Sequence, residues 1–307
     1  MIQVRNKNIL ILTGGKVTKL DDFRNPIKKL GLNVQLASFY DLEYKSTNHK
    51  TNFTLLVKGK DLKQYDLVYF RLVGKRFEDA SLVINYAKKN GIKIVDKVYE
   101  TSLFLPSTVS KAIEMQKMIS KGVKIPLTYF GSLEKIHAKA GNLLGYPYVL
   151  KSTSGKKAKE VWIVKNKKES KLLTGDLNEN EKKGKRYFAQ KFIHASQRIR
   201  TFVIGDKVLG AVTRPTKWRK LFIKKVDGEY PEGKKETIFP VDKKYSIISI
   251  NAAKSVELDI AGVDILEEDK TKLLYIIEAN AAPAWRLIKM HTKVEVEEEI
   301  LKYLQKV

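Results

Sequence analysis

Residues 261–285 read AGVDILEEDKTKLLYIIEANAAPAW, two apolar runs separated by a polar turn. The first run carries Asp264, the second carries Glu278, and Asn280 follows two positions later. Residues two apart on a strand share a face, so Glu278 and Asn280 project together. In an antiparallel hairpin, opposed residues are equidistant from the turn centre. The midpoint of 264 and 278 is Thr271, inside the polar turn, which sets Asp264 opposite or nearly opposite Glu278, since a bulge can shift such a register. Facing carboxylates repel unless positive charge lies between them. Two carboxylates and an amide oxygen form a hard, incomplete, oxygen-only shell. Such a shell suits Mg²⁺, which keeps waters and takes its other ligands from phosphates. The plainer alternative is a strand end with turn residues at Asn280 and Pro283, and Asp264 paired to a lysine.

The surrounding pattern mixes helices and strands. Upstream, 243–258 has helical spacing, and 197–240 reads as mostly β with turns at Gly205-Asp206, Asp227-Gly228 and Glu232-Gly233. RYFAQKFI (186–193) is a strand, and YPYVLKSTSGKKAKEVWIV (146–164) is a strand, a basic loop and a strand. STVSKAIEMQKMISKG (107–122) is a helix with Ser and Thr at its start and Gly at its end, followed by a strand at 127–130 and a helix to about Leu144. The first third alternates strands (8–12, 34–39, 65–73, 92–96) with helices (22–31, 77–91), which argues a small parallel α/β domain. GGKVTK (14–19) lacks the GxxxxGK[ST] spacing and is an ordinary turn. Residues 294–307 form an amphipathic closing helix.

Composition narrows the classes. The 307 residues suffice for two or three domains, and 43% hydrophobic content supports a packed core. Absence of Cys excludes disulfides, thiolate metal sites and a cysteine nucleophile, and is compatible with a reducing cytosol. The opening apolar run is too short for a signal peptide, and no run approaches the roughly 18 residues of a membrane helix. The expectation is a soluble cytoplasmic protein without a membrane partner. The net charge of +25 would suit a polyanion, yet of 59 Lys and Arg only ten are Arg, and the lysines are scattered. Scattered charge supports solubility more than recognition, which argues against nucleic acid as the partner and keeps a basic nucleic-acid-binding protein only as an alternative reading.

The segment 261–285 resembles the closing segment of ATP-grasp ligases, in the RimK-like (ribosomal-protein glutamate ligase-like) branch, whose pattern is aGvDi…EvNasPG. The likeness continues in order through 146–164 (strand, lysine and phosphate loop), YFAQKFI (hinge) and QRIRTFVIGDKVLGAVTRPTKWRK (197–220), and takes in 107–130 and the first domain. The resemblance implies an α/β and α+β chain. A Rossmann-like pre-ATP-grasp domain over 1–105 would precede a two-lobed ATP-grasp domain over 106–307, with a small lobe at about 140–190 and a C-terminal lobe at 194–307. It implies an enzyme that forms a C–N bond between a carboxylate and an amine, through an acyl phosphate, with ATP and Mg²⁺ (or Mn²⁺) as cofactors. Neither substrate is identified by the sequence, though the basic surface hints at an acidic one.

By the same resemblance, Asp264, Glu278 and Asn280 hold the metal, and Lys111, Lys151 and Gly155 contact phosphates. Gln190, Lys191, Phe192 and Ile193 form the adenine hinge, with the Lys191 carbonyl and Ile193 N–H reading the base edge. Arg200, Arg214 and Arg219 act on the transferring phosphoryl group, for which a permanently charged fork is suited. The chain departs from the pattern at Ala158, Arg198, Leu221 and Ala284. These departures imply a divergent substrate, or a nucleotide-binding scaffold without turnover.

Overall fold

Nine apolar residues in two short runs, 9–12 and 67–70 with Val95, build the middle of a parallel sheet. The structure is a computed structural model that describes residues 6–46, 53–101, 111–153, 160–215, 237–238 and 240–307. Its first strands are β1 (Ile9–Thr13), β2 (Val34–Ser38), β3 (Leu42–Ser46), β4 (Phe53–Val57), β5 (Lys60–Asp61), β6 (Leu67–Leu72) and β7 (Lys93–Val95). The parallel sheet has the order β2-β1-β6-β7. Helices α1 (Arg24–Leu30), α2 (Phe77–Lys89) and α3 (Val98–Thr101) accompany it. Helix α1 stops where expected, because Gly31 takes the left-handed conformation at φ +61°. The antiparallel β3-β4-β5 sheet is absent from the sequence reading: β3 (LEYKS) is charged, largely exposed and shows no apolar alternation, while β4 (FTLLV) buries Leu55 and Val57 but is short and isolated in the sequence.

A second sheet, ordered β10-β9-β11-β8, uses β8 (Thr128–Phe130), β9 (Tyr148–Ser152), β10 (Val161–Val164) and β11 (Tyr187–Lys191). Helix α4 (Lys111–Ser120) precedes it, and α5 (Leu133–Leu144) and α6 (Lys167–Lys182) cover one face. The sequence reading passed over α6, which is too polar to show a strong stripe. It is held by an Asn166 side-chain cap and by burial of Leu173 and Leu177 in the cluster of Tyr148, Leu150 and Tyr187.

The third sheet carries the opening motif. Its order is β14-β13-β12-β15-β16, from β12 (Gln197–Ile204), β13 (Lys207–Pro215), β14 (Thr237–Ile238), β15 (Ile260–Glu267) and β16 (Leu274–Asn280). Helices α7 (Lys243–Ser255), α8 (Arg286–Thr292) and α9 (Val296–Lys306) complete the described α-helices, and short 3-10 helices span Val17–Phe23, Phe39–Asp41 and Leu62–Gln64. Asp264 does lie opposite Glu278, but a bulge is what brings it there. Nearer the turn the pairs are Glu267–Leu274, Leu266–Tyr275 and Ile265–Ile276, a register that would set Asp264 against Ile277. Ile277 is the extra residue, and beyond it Glu278 meets Asp264. The turn itself is tied to the hinge region. Asp269 N–H donates to the His194 carbonyl at 2.8 Å, and Ser196 N–H donates to the Asp269 carboxylate at 3.1 Å.

The parallel sheet and the third sheet share their cores. One apolar cluster joins Leu10, Leu12 and Phe70 to Val203, Ala252 and Val263, and another joins Ile11 and Tyr69 to Phe202, Trp285 and Leu301. The second sheet keeps a core of its own. Main-chain ties reinforce the shared base. Buried Asp96 accepts the N–H groups of Asp259 and Ile260 at 2.8 and 2.9 Å on one oxygen, and its other oxygen finds no partner among the described residues. Burial pushes its pKa up to about 7, against the two N–H groups that lower it.

Gly262 opposes Asn280, and a Cβ there would stand 2.8 Å from Pro283 Cβ. Gly262→Ala must push the 281–284 turn away from the sheet. The expected cost is roughly 1–3 kcal/mol, read as a lowered melting temperature by circular dichroism; an unchanged melt would show that the turn yields freely.

Candidate active site

Three strands place one charged row across the third sheet. Arg200 on β12 pairs with Asp264 on β15, which pairs with Glu278 on β16. One step along, Phe202, Gly262 and Asn280 form the next row. Arg200 grips Asp264 with both prongs, Nε to Oδ1 and Nη2 to Oδ2, each 2.6 Å. Arg200 Nη2 is also 3.7 Å from Glu278 Oε1. From α4, Lys111 Nζ reaches Glu278 Oε2 at 3.2 Å, and Asn280 Nδ2 donates to Glu278 Oε1 at 2.9 Å. The positive charge demanded by two facing carboxylates is therefore already present in side chains. Asp264 is only 1% exposed, so this pairing matters. Burial raises the Glu278 pKa, but Lys111, the Asn280 amide and Arg200 outweigh it and bring it down to about 2.

Arg198 was read as a departure from the family pattern. The structure gives it a place: its Nη1 is 3.4 Å from Asp264 Oδ2, two residues along the strand from Arg200 on the same face. The chain thus substitutes a second cation for the expected acid.

Two further candidate residues, Lys151 and Gln190, lie next to the row. Lys151, at the end of β9, donates to Gln190 Oε1 at 2.6 Å, and Gln190 Nε2 donates to Thr128 Oγ1 at 3.0 Å. Burial and then the nearby Lys111 charge lower the Lys151 pKa to about 8, with Glu278 opposing. Gln190 is thereby the anchor of Lys151, a pairing across 39 positions that a motif scan does not reveal. Past it the chain passes from the second sheet to the third. Phe192 packs with Val149 and Ile163 of the second sheet, and Ile193 packs with Ala195 and Leu266 of the third. Lys191 is exposed, and its N–H donates to the Leu127 carbonyl at 2.7 Å. Arg214 lies on β13 in register with Arg198. Gly155, Arg219, Ala158 and Leu221 lie outside the described residues, and Ala284 is exposed.

One carboxylate near the row was missed by the sequence reading. Glu114 on α4 accepts the Ala279 N–H at 2.6 Å. Burial first, then the Glu278 and Asp264 charges, raise its pKa to about 8, against the Ala279 bond and Lys111. Nothing in a helix carrying ten ordinary positions marks this acid as inward-facing except its place one turn after Lys111.

The donor set fits Mg²⁺ as an incomplete shell. Among the described residues no three His, Cys, Asp or Glu side chains gather into a metal cage. Asp264, Glu278 and Asn280 place two carboxylates and an amide on one face, donor types that suit Mg²⁺ with phosphate oxygens and waters, and to take the ion the carboxylates would exchange contacts now made to Arg200 and Lys111.

Residues 108–304 match the family model of the RimK-like ATP-grasp domain. A probable alpha-L-glutamate ligase of Trichodesmium erythraeum (strain IMS101) is 24% identical over 289 residues, covering 90% of this chain and 88% of that protein. Among solved structures, the ATP-grasp ligase PsnB complexed with minimal precursor, Mg and ADP is similar with a TM-score of 0.69 at 14% identity, covering 99% of this chain and 98% of that chain. A RiPP-associated ATP-grasp ligase of Chryseobacterium gregarium, in complex with ADP and a leader and core peptide, is similar with a TM-score of 0.66 at 17% identity, covering 97% of this chain and 95% of that one. Among the described residues no helix is long and apolar enough to cross a membrane.

Proposed function

The chain belongs to the RimK-like ATP-grasp family of C–N bond-forming ligases, and from that membership we propose that it joins a carboxylate to an amine at the expense of ATP, through an acyl phosphate. The observation that carries this reading is the Arg200–Asp264–Glu278 row, flanked by Lys111 and Lys151. A carboxylate must approach a triphosphate, and that approach needs cations held in place beforehand. Asp264, Glu278 and Asn280 would hold Mg²⁺, whose charge offsets the repulsion between carboxylate and phosphates.

The side chains divide the remaining work. Lys111 and Lys151, with the backbone around Gly155, bind the phosphates. Arg200, Arg214 and Arg219 steady the phosphoryl group as it moves to the substrate carboxylate oxygen and ADP departs. The amine nitrogen then attacks the acyl carbon, phosphate leaves with its bonding pair, and the amine gives up a proton. Phe192 and Ile193 supply an apolar seat for adenine, and the Lys191 carbonyl and Ile193 N–H read its edge. Gln190 serves by fixing Lys151. An amino acid or peptide acceptor is supported by the glutamate ligase among the relatives and by the precursor peptides in the fold neighbours. The net charge of +25 supports an acidic one.

Incubation with ATP, Mg²⁺ and pools of amino acids and acidic peptides is expected to yield ADP, phosphate and a new amide in equal amounts. The amide is read by mass spectrometry as the sum of both substrates less one water. Nucleotide binding without ADP or amide, in folded protein, would replace this reading with that of a nucleotide-binding scaffold.

A further inference from the structure

Strand β16 lies at the edge of its sheet, so its outward-facing main-chain groups have no neighbouring strand to bond among the described residues. In the ladder with β15, Val263–Ala279 alternates with the Asp264–Glu278 and Gly262–Asn280 pairs. The Ala279 N–H donates to Glu114 of α4, and Ile276 N–H donates to the Lys124 carbonyl at 2.9 Å. The edge is thus closed by α4 and the chain that follows it. A carboxylate is a costly partner here, because it stands in the field of Glu278 and Asp264, whereas any neutral oxygen would satisfy the same N–H.

What the carboxylate secures is the placement of α4 against the strand. Lys111, one turn earlier on the same face, meets Glu278, and its own N–H donates to the Thr153 carbonyl at 3.3 Å, at the end of β9. Met115, the next residue after Glu114, touches the Gln190 amide through its sulfur. One helix therefore touches both phosphate-side lysines' surroundings and the strand bearing Glu278 and Asn280, and Glu114 pins it to the main chain between those two side chains.

We propose that Glu114 is a positioning residue of the ligase site, holding β16 and α4 in the mutual register at which Glu278, Asn280 and Lys111 converge. The proposal rests on the ligase reading for the purpose of that convergence, not for the existence of the clamp.

The test compares Glu114→Leu with Glu114→Gln, since Gln keeps an oxygen for the Ala279 N–H and Leu does not. In hydrogen exchange of the nucleotide-free protein, the Leu variant is expected to exchange the Ala279 amide about tenfold faster or more. The Gln variant should stay close to the parent. In ADP-formation assays, the Leu variant should need several-fold more Mg²⁺ for half-maximal rate, and Gln should restore the parental requirement. Parental exchange in the Leu variant overturns the clamp. Loss of rate at an unchanged Mg²⁺ requirement, or failure of Gln to rescue, overturns the positioning role. If the parent protein forms no ADP at all, the ligase reading fails by itself, and the exchange measurement alone judges the clamp.

Discussion

Asp264→Asn is expected to lower ADP formation by about a thousandfold or more, the scale on which preorganised charge at a phosphoryl-transfer site acts. It should also weaken the fold. Asp264 is 1% exposed and receives both prongs of Arg200 at 2.6 Å, with Arg198 at 3.4 Å. The amide keeps one acceptor oxygen but no charge, which leaves two guanidinium groups facing a neutral group. Removing one partner of a buried ion pair costs on the order of 3–5 kcal/mol. Glu278→Gln separates the two effects. Its side chain is 22% exposed and faces Lys111 and Asn280, to which a Gln oxygen can still bond. A comparable loss of activity with a much smaller loss of melting temperature is expected. Retention of more than a tenth of the parental rate by Asp264→Asn, measured as ADP release in folded protein, would remove this residue from the reaction.

Asp96→Asn is expected to raise the melting temperature at pH 8 and to leave it nearly unchanged at pH 4. Burial lifts the Asp96 pKa from 3.8 to about 7 in the folded chain. Between those values the folded protein holds a proton that the unfolded chain has released. Its stabilising contribution is full below about pH 4 and lost as pH rises through 7. The loss amounts to roughly 3–4 kcal/mol. Asn keeps the oxygen that accepts from Asp259 and Ile260 and carries no charge to desolvate. Glu114, raised to about 8, adds a slope of the same sign, so the variant should flatten the parental decline in stability rather than abolish it. Glu278, lowered from 4.5 to about 2, acts in the opposite direction, its contribution falling away as pH drops from about 5 through 2, and so touches only the acid end of this range. Melts taken from pH 4 to pH 8 decide the matter: parallel curves for variant and parent would mean that Asp96 is ionised throughout.

These residues also mark how far the sequence could be read. Strands β1 and β6 were legible as continuous apolar runs, because central parallel strands are buried on both faces, and helix α2 by the stripe that burial of one face imposes. Helix α6 and strand β3 were not, since polar segments are shaped by caps and neighbours more than by a stripe, and β4, which buries Leu55 and Val57, has no legible partner without β3. At the site, hairpin arithmetic put Asp264, Glu278 and Asn280 in one neighbourhood to within a residue, and the bulge at Ile277, which no turn count shows, sets the final pairing. The partners of that trio come from elsewhere in the chain: Lys111 is separated from Glu278 by 167 positions and Glu114 from Ala279 by 165. No local rule links them, and only the docking of α4 on an otherwise open sheet edge does so. Arg198 shows the converse, a residue that looked like a lost acid in the motif and turned out to reinforce Asp264.

The doubled residue at Ile277 bears on how chains of this kind are compared. Facing acids need not be separated by the same count in every sequence. The turn alone would oppose Asp264 to position 277, and one looped-out residue advances the partner to 278. A chain with the same turn and a regular ladder would hold the same two carboxylates face to face with one residue fewer between them. An alignment gap at this point therefore records the coiling of a strand, and says nothing against shared chemistry.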